Sequence, residues 1–228
     1  VVGDDWQSIY AFAGSDITLF QKFLELMGQG KEMQITHTYR NSQELIDIAG
    51  SFVQKNSSQI KKRLISPKRL KNPVIVECFD DTNYYRVNWI AKIEEVVGKI
   101  VAAYGSSTSI LLIGRYNYDM DYLLRSGKFD EVKGDRIKCV KYPKARITFL
   151  TAHSSKGLGF DNVVLVNMIE AKFGFPSQIE EDPIIKLVTY NDNSFPFAEE
   201  RRLFYVAMTR TKNRVYMITP QTRPSRFV

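Results

Sequence analysis

The chain has 228 residues, of which 44% are hydrophobic and 25% charged, an ordinary globular composition with room for one α/β domain and part of another. Two cysteines, Cys78 and Cys139, and two histidines, His37 and His153, exclude a disulfide framework and make a zinc cluster improbable. Lysine and arginine outnumber aspartate and glutamate 32 to 25, which gives a net charge of +7 and a mild bias toward a polyanionic partner. No apolar run is long enough to span a membrane and no secretory signal is present, so a cytoplasmic setting is expected. The chain opens on Val1-Val2 in place of Met, and is expected to be a piece of a longer protein.

Val1 to Asp16 reads as a strand end, an acidic turn and a polar–aromatic loop, with Trp6, Tyr10 and Phe12 close together. Such rings serve either local packing or base stacking, which is worth about 1–3 kcal/mol per base whatever the sequence. Gly14-Ser15-Asp16 offers caps for a helix from about Ile17 to Leu26, and Gly28 to Gly30 form a break. Met33 to Thr38 then predicts a strand, and Asn41 or Ser42 caps a helix carrying Leu45, Ile46, Ala49, Phe52 and Val53 at helical spacing. Lys55 to Pro73 is a basic loop, either a solvated charge run or a contact to a DNA backbone.

Val74 to Phe79 predicts a strand. Tyr84 to Tyr104 predicts an amphipathic helix with Val87, Ile90, Ala91, Ile93, Val97 and Ile100 inward. Thr108 to Ile113 is apolar throughout, as a central parallel strand is, and a helix starts near Tyr118. Arg146 to Thr151 and Asn162 to Met168 are two more strands. Ala152-His153-Ser154-Ser155-Lys156-Gly157 leaves the first of them, at the strand end where open α/β sheets hold ligands. Ile169 to Phe197 reads as a surface loop, and Arg214 to Thr219 as a last strand. This alternation predicts an α/β fold, a doubly wound and mostly parallel sheet with helices on both faces.

Glu199 to Arg214 reads as a helix whose apolar stripe, Leu203, Val206 and Ala207, continues to Arg210. A guanidinium on the buried side of a helix keeps its proton and needs an anion opposite it. Glu199 and Glu200 are candidates within the protein, and a phosphate is the candidate outside it.

EERRLFYVAMTRTK resembles motif VI of the UvrD/Rep group of superfamily 1 helicases. GDDWQSIYAF resembles motif III, THTYRNSQELIDIA motif IV, and ITFLTAHSSKGLGFDNVVLVNM motif V. The resemblance implies the second RecA-like motor domain of a P-loop helicase over residues 31–228, preceded by the end of the first over 1–30. It implies ATP with Mg2+, whose ligands lie mostly outside this chain, and it implies single-stranded DNA and duplex junctions as partners. On this basis Gln7 senses the γ-phosphate and its water, Arg40 and Arg210 contact the γ-phosphate, and Tyr39 packs on adenine. Tyr10 and Phe12 stack on DNA bases, while His153, Ser154 and Lys156 touch the DNA backbone. The family usually carries Trp in place of Phe12, Arg in place of Ala13 and a nucleotide-binding Glu in place of Gly159. A non-motor nucleic-acid-binding or protein-interaction module is the alternative that these departures suggest.

Arg40 and Thr148 lie 108 residues apart, and the strand–helix alternation uses nearly all of that distance. The large domain that many relatives insert there is missing, or reduced to the segment around Phe129 to Lys144. None of the Gly-Lys pairs, Gly30-Lys31, Gly98-Lys99 and Gly127-Lys128, is followed by Ser or Thr, so the chain contains no Walker A phosphate cradle.

Overall fold

The computed structural model describes residues 2–10, 22–31, 33–179 and 195–228. Five α-helices are described, after a 3-10 turn at Asp5–Gln7: α1 (Phe23–Met27), α2 (Gln43–Val53), α3 (Tyr85–Tyr104), α4 (Tyr118–Arg125) and α5 (Ala198–Met208). The strands are β1 (Val74–Phe79), β2 (Ser109–Gly114), β3 (Phe129–Lys133), β4 (Arg136–Cys139), β5 (Arg146–Thr151), β6 (Asn162–Leu165) and β7 (Val215–Pro220). They form one seven-stranded sheet in the order β1-β7-β6-β2-β5-β4-β3. The five strands from β1 to β5 in that order run parallel, and β4 and β3 append an antiparallel hairpin. This hairpin falls within the segment around Phe129 to Lys144.

Side chains alternate across the sheet, as strand geometry requires. Leu111 and Ile113 of β2 enter a core with Leu45, Ala49 and Val53 of α2 and with Leu203, Val206 and Ala207 of α5. Ile110 and Leu112 enter a second core with Trp89, Ile93, Val97 and Ile100 of α3. Helices therefore cover both faces, as expected. Trp6 and Ile9 of the first segment are buried with α5, and Trp6 meets Tyr205 edge to face.

Two local expectations fail, and a third, left open between two residues, resolves to one of them. Met33 to Thr38 forms no strand. Met33 and Ile35 are exposed, and only an isolated bridge joins His37 to Ile65. On α3, Val87 lies exposed in the first turn, and Trp89 and Val96 fill the core instead. The cap of α2 is Ser42, whose hydroxyl accepts from the amide of Leu45. Asn41 is freed for a different role.

Candidate functional site

Arg210 lies just past the last turn of α5, and it is 3% exposed. Its Nε donates to the Val206 carbonyl at 2.8 Å, capping the helix C-terminus. Its Nη atoms donate to the Leu158 carbonyl, Thr209 Oγ1 and Gln7 Oε1 at 3.4, 3.1 and 3.3 Å. All four acceptors are neutral. Among the described residues Arg210 has no carboxylate partner, because Glu200 is held by Arg115 at 2.6 Å and Glu199 makes no ion pair with it. The internal Arg–Glu pair is thereby set aside. Burial, and after it the nearby charge of Arg40, push the Arg210 pKa down to about 10. It remains a cation at neutral pH, with a second cation beside it.

Asn41 explains why these two arginines meet. Its buried Nδ2 donates to the carbonyls of Thr209 and Thr211 at 3.2 and 2.6 Å, so it ties the corner before α2 to the chain on either side of Arg210. Arg40 is thus delivered to the same place. A Cβ built on Gly159 would stand 3.4 Å from Arg40 Nε, so the glycine lies against the guanidinium. Gln7 completes the group: its amide donates to Asp4 while its oxygen accepts from Arg210. Tyr39 sits beside Arg40 and is 72% exposed, free to offer a ring face.

A second group lies where β5 ends. The Tyr10 hydroxyl donates to the His153 carbonyl at 3.3 Å, and the Lys156 ammonium stands 4.8 Å from the Tyr10 ring centre. The rings of Tyr10 and His153 lie 6.3 Å apart. Burial, and secondarily the charge of Arg115, lower the His153 pKa to about 4, so this imidazole is neutral at pH 7. Ser154 is exposed, with its Oγ 2.9 Å from Thr151 Oγ1. Phe12 and Ala13 lie outside the described residues, so Tyr10 is the described member of the expected stacking pair.

Several positioning residues were not among those singled out by sequence. Arg202 is almost fully buried and donates through Nε to the Ser8 carbonyl, which fixes the segment bearing Gln7 and Tyr10 to α5. The i, i+4 spacing of Arg202 to Val206 was the available signal. Arg115 leaves the end of β2, beside the end of β5, and bonds Glu200 through both Nε and Nη2. Asp4 and Asp5 share Lys62, a member of the basic loop. That lysine therefore has an internal partner.

The parallel sheet, the helices on both faces and the paired arginines define an α/β domain of the RecA-like class, with a cationic site where the corner before α2 meets α5. The chain belongs to the UvrD-like helicase family: residues 128–222 match the UvrD-like helicase C-terminal domain. It is 31% identical over 227 residues to DNA helicase IV of Escherichia coli, covering 100% of this chain and 30% of that protein. It is also 29% identical over 192 residues to the ATP-dependent DNA helicase Rep of Buchnera aphidicola, covering 73% of this chain and 26% of that one. The chain thus spans under a third of the length of these two relatives. The C-terminal domain of a possible DNA helicase from Lactobacillus plantarum shares the fold at TM-score 0.50 and 13% identity, covering 83% of this chain and 91% of that one. Among the described residues, no helix is long and apolar enough to cross a membrane.

Proposed function

We propose that residues 31–228 are the second motor domain of an ATP-dependent DNA helicase, and that residues 1–30 end its first. The enzyme translocates on single-stranded DNA, in the 3′ to 5′ direction that the family resemblance suggests, and unwinds duplex. One observation carries the proposal: two guanidiniums, Arg40 and Arg210, converge beside Gln7, and among the described residues neither is in an ion pair. Such a pair suits an anion that arrives from outside, and a γ-phosphate is that anion. ATP would bring Mg2+, held mostly by residues outside this chain. Arg40 and Arg210 would stabilise charge on the transferring phosphoryl group, Gln7 would orient water, and Tyr39 would cover adenine. Tyr10 would stack a base while Ser154 and Lys156 contact the backbone. Closure around ATP, relayed through Arg202 and Ser8, would move Tyr10 relative to the strand it holds.

The test is single-stranded-DNA-stimulated ATPase in a protein that also carries the first motor domain, with this 228-residue chain as control. The longer protein should turn over and the chain alone should not, since it contains no Walker A sequence. Turnover by the chain alone, lost with Arg210→Ala, would overturn the division of labour. The non-motor alternative, which Gly159 and Ala13 suggested, predicts no turnover in either.

The DNA contacts give a separate expectation. Each cation on a single strand contributes about 0.7 to the slope of log K against log salt. Lys156→Ala should therefore flatten that slope by about 0.7. His153→Gln should leave it unchanged, because the imidazole is already neutral, while lowering affinity at every salt concentration. An equal slope change in both variants would remove the neutral role from His153.

A further inference from the structure

We propose that the uncovered face of the sheet edge β3–β4–β5 docks the phosphate backbone of duplex DNA. The inference rests on the DNA-helicase reading and adds to it a surface that the ATP and single-strand sites do not use. From Arg125 to Arg146 there are eight basic residues and three acidic ones, so this short region supplies five of the seven excess positive charges of the chain.

Strand alternation sorts them onto one face. Ile137 and Cys139 of β4, with Ile147 and Phe149 of β5, are buried toward α3. Arg136, Lys138, Arg146 and Thr148 therefore point to the opposite side. Register places Arg136 beside Thr148 on one flank and beside Lys133 on the other, and Asp130 beside Lys138. Four cations and one carboxylate thus share this face. In the rest of the sheet, the same side is covered by α2 and α5. Here that core stops at Leu150 and Ala152 of the β5 side and takes in no residue of β3 or β4.

Lys133, Arg136, Lys138 and Arg146 are all exposed, and none is in an ion pair among the described residues. Arg146 makes one long hydrogen bond, to the Ser107 carbonyl at 3.5 Å. A row of cations without carboxylate partners is complementary to a polyanion. What the face does not offer identifies which one. Among the described residues of these three strands, no aromatic ring stands on this face; Tyr142, in the turn after β4, packs on the other side against Gly98 of α3. A single strand needs platforms for its unpaired bases, as at Tyr10, whereas a duplex keeps its bases paired and presents phosphates.

The test uses the 228-residue chain, a blunt duplex and an oligo-dT of equal length, with fluorescence anisotropy over a range of salt. The triple variant Arg136→Gln, Lys138→Gln, Arg146→Gln should weaken duplex binding at least tenfold at low salt. It should flatten the duplex salt slope by about 2–3, since each phosphate that a cation neutralises contributes about 0.9. Oligo-dT binding should stay as it was. If the triple variant melts early, Lys138→Gln alone decides, with a slope change of about 0.9 expected. An unchanged duplex slope overturns the proposal, as does an equal loss on oligo-dT. If Tyr10→Ala abolishes oligo-dT binding while the duplex slope of the triple variant stays put, the helicase reading stands and this surface falls. If the parent chain binds neither probe at low salt, both fall together.

Discussion

Arg210→Ala, made in a protein that carries both motor domains, should lower single-stranded-DNA-stimulated ATP turnover by about 10³–10⁵, the usual worth of an arginine that stabilises a transferring phosphoryl group. The geometry sharpens what should happen to stability. Arg210 is 3% exposed, and four of its five N–H groups donate to neutral acceptors. Two opposing effects follow from its removal. The Val206 carbonyl loses its cap, which costs about 1 kcal/mol. At the same time a buried cation that repels Arg40 disappears, which is a gain. The melting temperature should therefore shift by only a few degrees while turnover collapses. Arg210→Lys should rescue poorly, because one ammonium cannot reach the Val206 carbonyl, Gln7 and a phosphate at once. A large drop in melting temperature with near-normal turnover per folded molecule would sink the catalytic assignment.

The strands of the parallel sheet were legible because each is an apolar run bounded by turn residues, and buried strands need little else. Met33 to Thr38 shows where that logic ends. Alternation there favours extended backbone, but a strand also needs a partner edge, and sequence does not say whether one is near. The four motif stretches announced Arg40 and Arg210 without showing what holds them together. That depends on Asn41, whose place just before a helical pattern made it a cap candidate beside Ser42, whereas its amide is spent on carbonyls 168 and 170 residues away. Arg115 was invisible as a site residue for the same reason. Its partner, Glu200, had been considered for Arg210, and only the tertiary structure shows which arginine takes it.

That competition leads to the other large expected effect. The carboxylate of Glu200 accepts from Arg115 Nε and Nη2 and from the amide of Ser177 at 2.9 Å. Both charged side chains are mostly buried, at 15% and 13% exposure. Burial alone would lower the Arg115 pKa, but the bond to Glu200 more than offsets it and raises it above its ordinary value. Glu200→Ala would take the hydrogen-bonded carboxylate from this buried guanidinium and leave it only the weaker charge of Glu199, and breaking such a pair costs about 3–5 kcal/mol. Residual exposure of both partners places the expectation near 3 kcal/mol, which for a chain of this size is a fall in melting temperature of roughly 6–12 °C. Replacing both partners, Arg115→Met with Glu200→Leu, should recover most of the loss, because neither buried charge is then left alone. The same double variant removes a positive charge from the surroundings of His153, so its imidazole should titrate higher than about 4. Thermal melting of the two variants and an NMR titration of His153 check both statements. If Glu200→Ala melts within a degree of the parent, the pair contributes nothing, and α5 is held to the end of β2 by apolar packing alone.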